Sequence, residues 1–287
     1  MAKTLRSIGD FLREWRQRRH LSQLALACEA EISTRHLSFL ETGRSLPSRE
    51  MILHLAERLN IPLREQNVLM LAAGYAPTFS ERPLEDPALR PMRKAIDLVL
   101  TGHEPFPAIA VDRHWTLIAA NKTIAPLIEG ASPELLRSPI NVIRLGLHPE
   151  GIARRIINFS EWRSHLLARL RHQIDVTADL DLKDLMSEIL SYPRPDSSTK
   201  IMSTSENYGG VVVPVQMTTG DGILSFFSTT TVFGTPVDVT LAELALESFF
   251  PADEATAETL LRLAARHPKG GVYGTACSVS LDKLGQG

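Results

Sequence analysis

Signals for the start and the end of short helices follow one another closely near the beginning of the chain. Ser22 suits the N-cap of a helix over residues 22–29, and Ser33 suits the N-cap of a helix running to about Thr42. A serine hydroxyl favours this position because it accepts one of the free backbone N–H groups at a helix start. Gly43 then offers the left-handed backbone position at which helices commonly end. The pattern predicts two short helices joined by a tight turn.

Further helices on either side of this pair complete a bundle. The step Pro47-Ser48 opens a fourth helix, and a fifth helix follows Pro62 and ends at Gly74. The first helix is indicated by apolar side chains at i, i+3, i+4 and i+7, which share one helical face: Ile8, Phe11, Leu12 and Trp15. We therefore predict an all-α five-helix domain over residues 1–76.

A change of pattern marks a second domain. Residues 77–104 contain several prolines around one helical segment, which suits a linker with a helix. Residues 105–270 combine strand-like and helical patterns and are predicted to form an α+β domain with an antiparallel sheet. Residues 271–287 are left as a tail. The predicted fold class is thus multidomain, all-α followed by α+β.

The sheet of the second domain is predicted from short apolar runs between turn signals. The turn Gly220-Asp221-Gly222 gives the clearest hairpin signal of the chain. Helical periodicity indicates a final helix over residues 241–249. The strands are predicted at residues 107–111, 116–120, 210–218 and 223–231.

Composition narrows the class of protein. The 287 residues suffice for two hydrophobic cores. No apolar run is long enough to span a membrane, and the N-terminus lacks the apolar stretch of a signal peptide. We therefore expect a cytoplasmic protein without a membrane partner. Although the net charge is −2, residues 1–80 carry 11 Lys/Arg against 8 Asp/Glu. Cys28 and Cys277 lack the spacing of a metal site, and no common catalytic motif is present. We expect no metal, no cofactor and no enzymatic activity.

The third helix carries the candidate DNA-reading side chains. Burial of its leucines would place Arg35, Ser38, Phe39 and Thr42 on the opposite face. In a major groove, Arg35 could donate two hydrogen bonds to a guanine, and Phe39 could pack on a thymine methyl group. The alternative is an ordinary helical bundle in which these residues form a solvated face.

Three further residues complete this candidate site. Thr34 and Ser38 could bond bases or phosphates, while Gln23 and Arg44 are placed to contact phosphates. Phosphate contacts fix the register on DNA but read no sequence. If the third helix is a recognition helix, the partner would be a double-stranded DNA operator.

The motifs of this region resemble the Cro-type, xenobiotic-response-element family of helix-turn-helix domains. Ser22-Gln23 matches the start of its second helix, Ile32-Ser33 follows its turn, and residues 40–44, Leu-Glu-Thr-Gly-Arg, match the end of its recognition helix. The resemblance covers about residues 5–75. It implies that Arg16 and Glu41 form a structural ion pair, away from the bases.

A narrower resemblance, to the MmyB-like regulators, extends over both domains. Residues 32–77 carry it in the first domain, and in the second it rests on residues 141–144, the His148-Pro149 step and residues 238–244 and 248–253. It implies a PAS-like second domain, an antiparallel sheet with helices over one face. That domain would enclose an apolar pocket for a fatty-acid-like ligand.

Candidate ligand residues follow from what such an amphiphile needs, an apolar tunnel and a polar group for its head. Arg144 and His148 are head-group candidates, although Arg144 could instead pair with an acid such as Asp238 or Glu247. Asn121 is a further candidate, with a loop-holding role as its alternative. The wall candidates, which could equally be core residues, are Trp162, Phe226 and Phe233.

These observations predict a transcription regulator that binds a pseudo-palindromic operator as a homodimer and senses a small apolar molecule. One alternative makes the second domain a protein-interaction module without ligand. Another makes it a ligand-binding enzyme tethered to DNA.

Overall fold

Two structural units are present in the computed structural model, which describes residues 6–193, 213–266 and 273–274. The first unit comprises the chain up to Arg82 together with residues 175–178 and 235–242. The second comprises residues 83–174, 179–234 and those from Glu243 onward. Cys277 and residues 210–212, which belonged to sequence predictions, lie outside the described residues.

The first unit is built on five helices, as predicted. They are α1 (Ile8–Arg18), α2 (Gln23–Glu29), α3 (Thr34–Glu41), α4 (Arg49–Arg58) and α5 (Leu63–Ala72). The predicted caps are confirmed: the Ser22 hydroxyl accepts the Ala25 N–H at 3.0 Å, and the Ser33 hydroxyl accepts the His36 N–H at 3.1 Å. Gly43 has a φ of +71°, so the expected left-handed helix end is also confirmed.

The core of this unit draws a side chain or more from each of the five helices. Buried aliphatic side chains on helix faces drive their association, since burial removes apolar surface from water. The residues that are less than 2 % exposed include Leu12, Leu26, Leu37, Leu40, Ile52, Leu55, Leu59, Leu69 and Met70.

One segment remote in sequence belongs to the first unit. The Val239 N–H donates to the carbonyl oxygen of Ser80 at 2.8 Å, and the Thr240 hydroxyl donates to that of Arg82 at 2.6 Å. The Arg82 guanidinium also donates to the buried carboxylate of Asp238, at 3.2 Å. No linear boundary between domains predicts this arrangement.

The second unit contains an antiparallel sheet with the order β3-β4-β5-β1-β2-β6. Its strands are β1 (Ala108–Val111), β2 (Leu117–Ala120), β3 (Val215–Thr219), β4 (Gly222–Val232), β5 (Ala245–Pro251) and β6 (Tyr273–Gly274). The predicted hairpin is confirmed, with Thr219 paired to Gly222 across the turn. The α+β class with an antiparallel sheet is confirmed as well.

Helices complete the two units. In the second unit they are α6 (Arg90–Gly102), α7 (Ala125–Ile128), α8 (Val142–Leu147), most of α9 (Phe159–Thr177), α10 (Leu180–Ser191) and α12 (Glu254–Arg266), whereas the short α11 (Val239–Ala242) belongs to the first. Among the described residues, we find no helix with the length and apolar character needed to cross a membrane.

The predicted final helix over residues 241–249 is wrong. Most of that stretch is β5, which pairs with β1 on one side and with β4 on the other. Leu246 and Glu247 are both buried although they are neighbours in sequence, because a central strand is covered on both faces. The Glu247 carboxylate is matched by Arg169, whose guanidinium donates to it at 2.7 Å.

Candidate DNA-binding surface and ligand-binding residues

Helices α2 and α3 are joined by a tight turn. The turn is closed by the Ile32 N–H, which donates to the carbonyl oxygen of Ala27 at 2.9 Å, while Glu31 takes a left-handed φ of +53°. Leu26 and Leu37 are fully buried and join the two helices to the same core. The turn and the shared core fix how α3 is presented.

The predicted division of α3 into two faces agrees with its pattern of burial. Leu37 and Leu40 are fully buried, whereas Arg35 and Thr42 are exposed. The remaining candidates on this helix, Thr34, Ser38 and Phe39, are half-buried.

The ion pair implied by the resemblance is confirmed. Arg16 donates from Nε to Oε1 of Glu41 at 2.6 Å and from Nη2 to Oε2 at 2.9 Å. Gln23, expected to contact phosphate, donates its side-chain N–H to Oε2 of the same carboxylate at 2.8 Å. One carboxylate of α3 thus holds side chains of α1 and α2.

Opposing influences act on the pKa of Glu41. Burial raises the pKa of this carboxyl, but hydrogen bonds from Arg16 and Gln23 favour the charged form and bring the pKa below its ordinary value. The hydrogen bond to Glu41 in turn raises the pKa of Arg16. The pair is therefore ionised at neutral pH.

Sequence reasoning missed two residues that position α3. Arg13 donates to the carbonyl oxygen of Glu41 at 3.2 Å, so it satisfies a free acceptor at the helix end. A Cβ on Gly9 would lie 2.5 Å from the carbonyl oxygen of Leu40, so α1 approaches α3 more closely than any other residue type permits. Arg13 lies one helical turn before Arg16, and this spacing was the available signal.

Phe39 lies beside the two arginines of the candidate surface. The guanidinium carbon of Arg35 is 5.3 Å from the centroid of its ring, and that of Arg44 is 5.8 Å from it. Both arginines are exposed. Within the described part of the chain, neither is paired with a carboxylate, so both cations face solvent.

Arg144, the first head-group candidate, is paired with an acid. Its Nε and Nη2 donate to the carboxylate of Glu188, the shortest distance being 2.7 Å. The two partners suggested from sequence were wrong, because Asp238 pairs with Arg82 and Glu247 with Arg169.

Two aromatic groups extend this pair. The Tyr192 hydroxyl donates to the Glu188 carboxylate, and the ring of His148 meets that of Tyr192 edge-on at 4.8 Å. Hydrogen bonding to Arg144 lowers the pKa of Glu188, whereas burial and the bond to Glu188 raise that of Tyr192. Arg144 and His148 thus belong to one network.

A half-open cavity of about 370 Å³ lies beside this network. Arg144 and Glu188 line it, and Leu182 and Leu185 contribute apolar surface. Its other lining residues are His114, Thr116, Pro139, Asn141, Asp181 and Asp184. Of the six candidate ligand residues, Arg144 is the one in this lining.

Asn121 is fully buried and hydrogen-bonded to the backbone. Its Oδ1 accepts the N–H of Ala108, and its Nδ2 donates to the carbonyl oxygens of Leu100 and Phe106. These bonds support the loop-holding alternative, and they occupy the polar atoms that a ligand contact would use.

The three aromatic candidates differ in their surroundings. Phe226 is 2 % exposed and packs against Phe249 in the core. Trp162 is half-buried and stacks on His165 at 5.8 Å. Phe233 is half-buried just beyond the end of β4.

Side chains with metal-binding chemistry meet at one place among the described residues. His114 Nε2 lies 3.0 Å from the carboxylate of Asp179 and 3.5 Å from that of Asp181. Arg113 contacts the same oxygen of Asp179 at 3.2 Å. The guanidinium of Arg113 thus shares a carboxylate oxygen with His114 in this cluster.

Comparison with known protein families gives one match in each of the two parts of the chain. The family described as "MmyB-like transcription regulator ligand binding domain" matches residues 92–263, and the family described as "Helix-turn-helix" matches residues 12–66. Among curated proteins there is no match.

One similar solved structure is titled "Structure of an RNA-binding Light-Oxygen-Voltage Receptor". It is 15 % identical, and the alignment covers 91 % of this chain and 64 % of that receptor. The TM-score is 0.25, too low to support an argument.

Proposed function

This chain belongs to the family of MmyB-like transcription regulators, and from that premise we propose that α3 reads a DNA operator while the second unit responds to an amphiphilic small molecule. DNA binding follows from the helix-turn-helix match. The residues that read the operator and the class of ligand are our proposals.

The observation that carries the DNA proposal is the pair of unneutralised guanidinium groups, Arg35 and Arg44, beside the exposed face of α3. Arg35 is assigned to a guanine edge, which an arginine contacts with two hydrogen bonds, and Arg44 to a phosphate. Thr34, Ser38 and Thr42 are assigned to neighbouring bases or phosphates. Gln23 retains one N–H for a phosphate after its bond to Glu41.

Binding-site selection from randomised DNA, followed by titration of the full chain, tests this assignment. We expect Arg35→Ala to lose about 1–3 kcal/mol of binding free energy on the selected operator and to relax the preference at one base position. Arg58→Ala, at an exposed arginine near the end of α4, is the matched control and should bind as the unmodified chain does. Equal weakening on all sequences would make Arg35 a phosphate contact instead.

The ligand proposal rests on the cavity beside Arg144. Leu182 and Leu185 offer an apolar wall, and the Arg144 guanidinium suits a carboxylate. Because Glu188 occupies that guanidinium, a fatty acid would exchange with Glu188 for the same hydrogen bonds.

Mass spectrometry of the organic extract from the purified chain, followed by palmitate titration, tests the ligand proposal. A stoichiometric fatty acid in the extract supports it. We expect Glu188→Gln to bind palmitate more tightly and Arg144→Ala to bind it more weakly. An empty extract, together with no thermal shift on adding lipids, would favour the alternative, in which the second unit is a protein-interaction module. The burial of Phe226 in the core is consistent with that alternative.

We further propose that the regulator binds as a homodimer to a pseudo-palindromic operator, because one recognition helix makes few base contacts. Analytical sedimentation of the chain, alone and with the selected operator, tests this proposal. A monomer under both conditions would exclude it.

A further inference from the structure

The end of α3 folds back onto Phe39. The Gly43 N–H donates to the carbonyl oxygen of Leu40 at 3.2 Å, and the Arg44 N–H donates to that of Phe39 at 2.9 Å. These two bonds form a Schellman motif, which Gly43 permits with its φ of +71°. In such a motif, the residues at the positions of Phe39 and Arg44 commonly make a hydrophobic contact.

Here a guanidinium and an aromatic ring make that contact. Arg44 reaches the ring of Phe39 from the loop, with 5.8 Å between its guanidinium carbon and the ring centroid. Arg35 reaches the same ring from one helical turn earlier, at 5.3 Å. Both distances lie within the range of cation–π attraction.

We propose that Phe39 is a positioning residue: its ring orders Arg35 and Arg44 together before DNA is bound. This inference rests on the proposed function, and it replaces the expected contact between Phe39 and a thymine methyl group. A flexible arginine loses rotamer freedom when it binds, so holding it in advance lowers that entropic cost. One ring would thereby join a base-reading side chain to a phosphate-binding one.

Titration of the selected operator with full-length Phe39→Leu and Phe39→Tyr variants tests the proposal. Leucine keeps an apolar side chain but removes the π-system, so we expect binding about tenfold weaker. Tyrosine keeps the π-system and should restore binding. Leu71→Ala, which removes an exposed apolar side chain of α5, is the control and should change nothing.

A double-mutant cycle identifies the partners of the ring. If Phe39 acts through the arginines, Phe39→Leu should cost little more in an Arg35→Ala, Arg44→Gln background, and the three changes should not add. The arginine variants leave the core intact, so they inform the cycle even if Phe39→Leu lowers stability. Full additivity would overturn the proposal.

Operators with uracil in place of thymine separate the two roles of Phe39. Loss of the methyl groups should leave the effect of Phe39→Leu unchanged if the ring acts through arginine. An effect that vanishes on uracil DNA would restore the methyl contact and reject positioning. If the unmodified chain shows no sequence preference, the proposed function fails, which is a different result from either of these.

Discussion

The Arg16 guanidinium and the Glu41 carboxylate form a buried bidentate ion pair, with 2.6 Å between Nε and Oε1 and 2.9 Å between Nη2 and Oε2. Arg16 belongs to the first helix and Glu41 to the last turn of α3. Because Gln23 of α2 contacts the same carboxylate, this pair connects three helices. The orientation of α3 therefore depends on Glu41, a buried residue outside the exposed face of that helix.

Removal of the carboxylate should destabilise the first unit strongly. Glu41→Ala leaves Arg16 buried without its partner, and we expect it to lower the free energy of unfolding by about 3 kcal/mol. Urea unfolding measures this loss. Glu14→Gln, which weakens half-buried ion pairs with Arg6 and Arg18, is the control and should cost below about 1 kcal/mol. Similar losses in the two variants would contradict the structural role of Glu41.

The same carboxylate should make stability depend on pH. The pKa of Glu41 in the folded chain lies below its ordinary value of 4.5, so folding favours the ionised form. Its contribution is therefore complete above about pH 4.5 and is lost as the pH falls through the lower folded pKa. We expect the stability difference between the unmodified chain and Glu41→Gln to shrink over that interval. A difference in the free energy of unfolding that stays constant from pH 7 to pH 3 would refute this prediction.

A methyl group at Gly9 should separate α1 from the end of α3. The added Cβ would lie 2.5 Å and 2.7 Å from the carbonyl oxygens of Leu40 and Glu41, and backbone atoms cannot rotate away. We expect Gly9→Ala to lower the free energy of unfolding by about 1–3 kcal/mol, although alanine is the better helix former. Gly102→Ala, at a helical glycine with open space around its Cβ position, should cause no loss.

The sequence predicted the five helices α1 to α5 well because their signals are local. Ser22, Ser33 and Gly43 act within one helical turn, so their roles follow from the few residues beside them. The packing of the arginines on Phe39 was not predicted, since spacing alone does not give the direction of a long side chain.

Prediction was weaker in the second unit, where partners come from distant segments. Residues 241–249 have apolar spacing that fits a helix, but pairing with β1 and β4 overrides that local preference. Arg144 and Glu188 lie 44 residues apart, and no local pattern indicated this pair. Asp238 and Glu247 were suggested as partners of Arg144 because the sequence does not show which acidic residue lies near it in space.

Substitution of Asn121 distinguishes a structural role of this residue from a ligand contact in the second unit. Asn121→Ala would leave the Ala108 N–H and the carbonyl oxygens of Leu100 and Phe106 without their partner inside the fold. A buried polar group without a hydrogen-bond partner destabilises the fold, so we expect the free energy of unfolding, measured by urea unfolding, to fall by about 2–3 kcal/mol. Ser187→Ala, which removes an exposed hydroxyl bonded within its own helix, should be nearly neutral.

The palmitate affinity of folded Asn121→Ala should match that of the unmodified chain, because the polar atoms of Asn121 are committed to the backbone. Unchanged stability combined with a weakened affinity would instead make Asn121 a ligand contact.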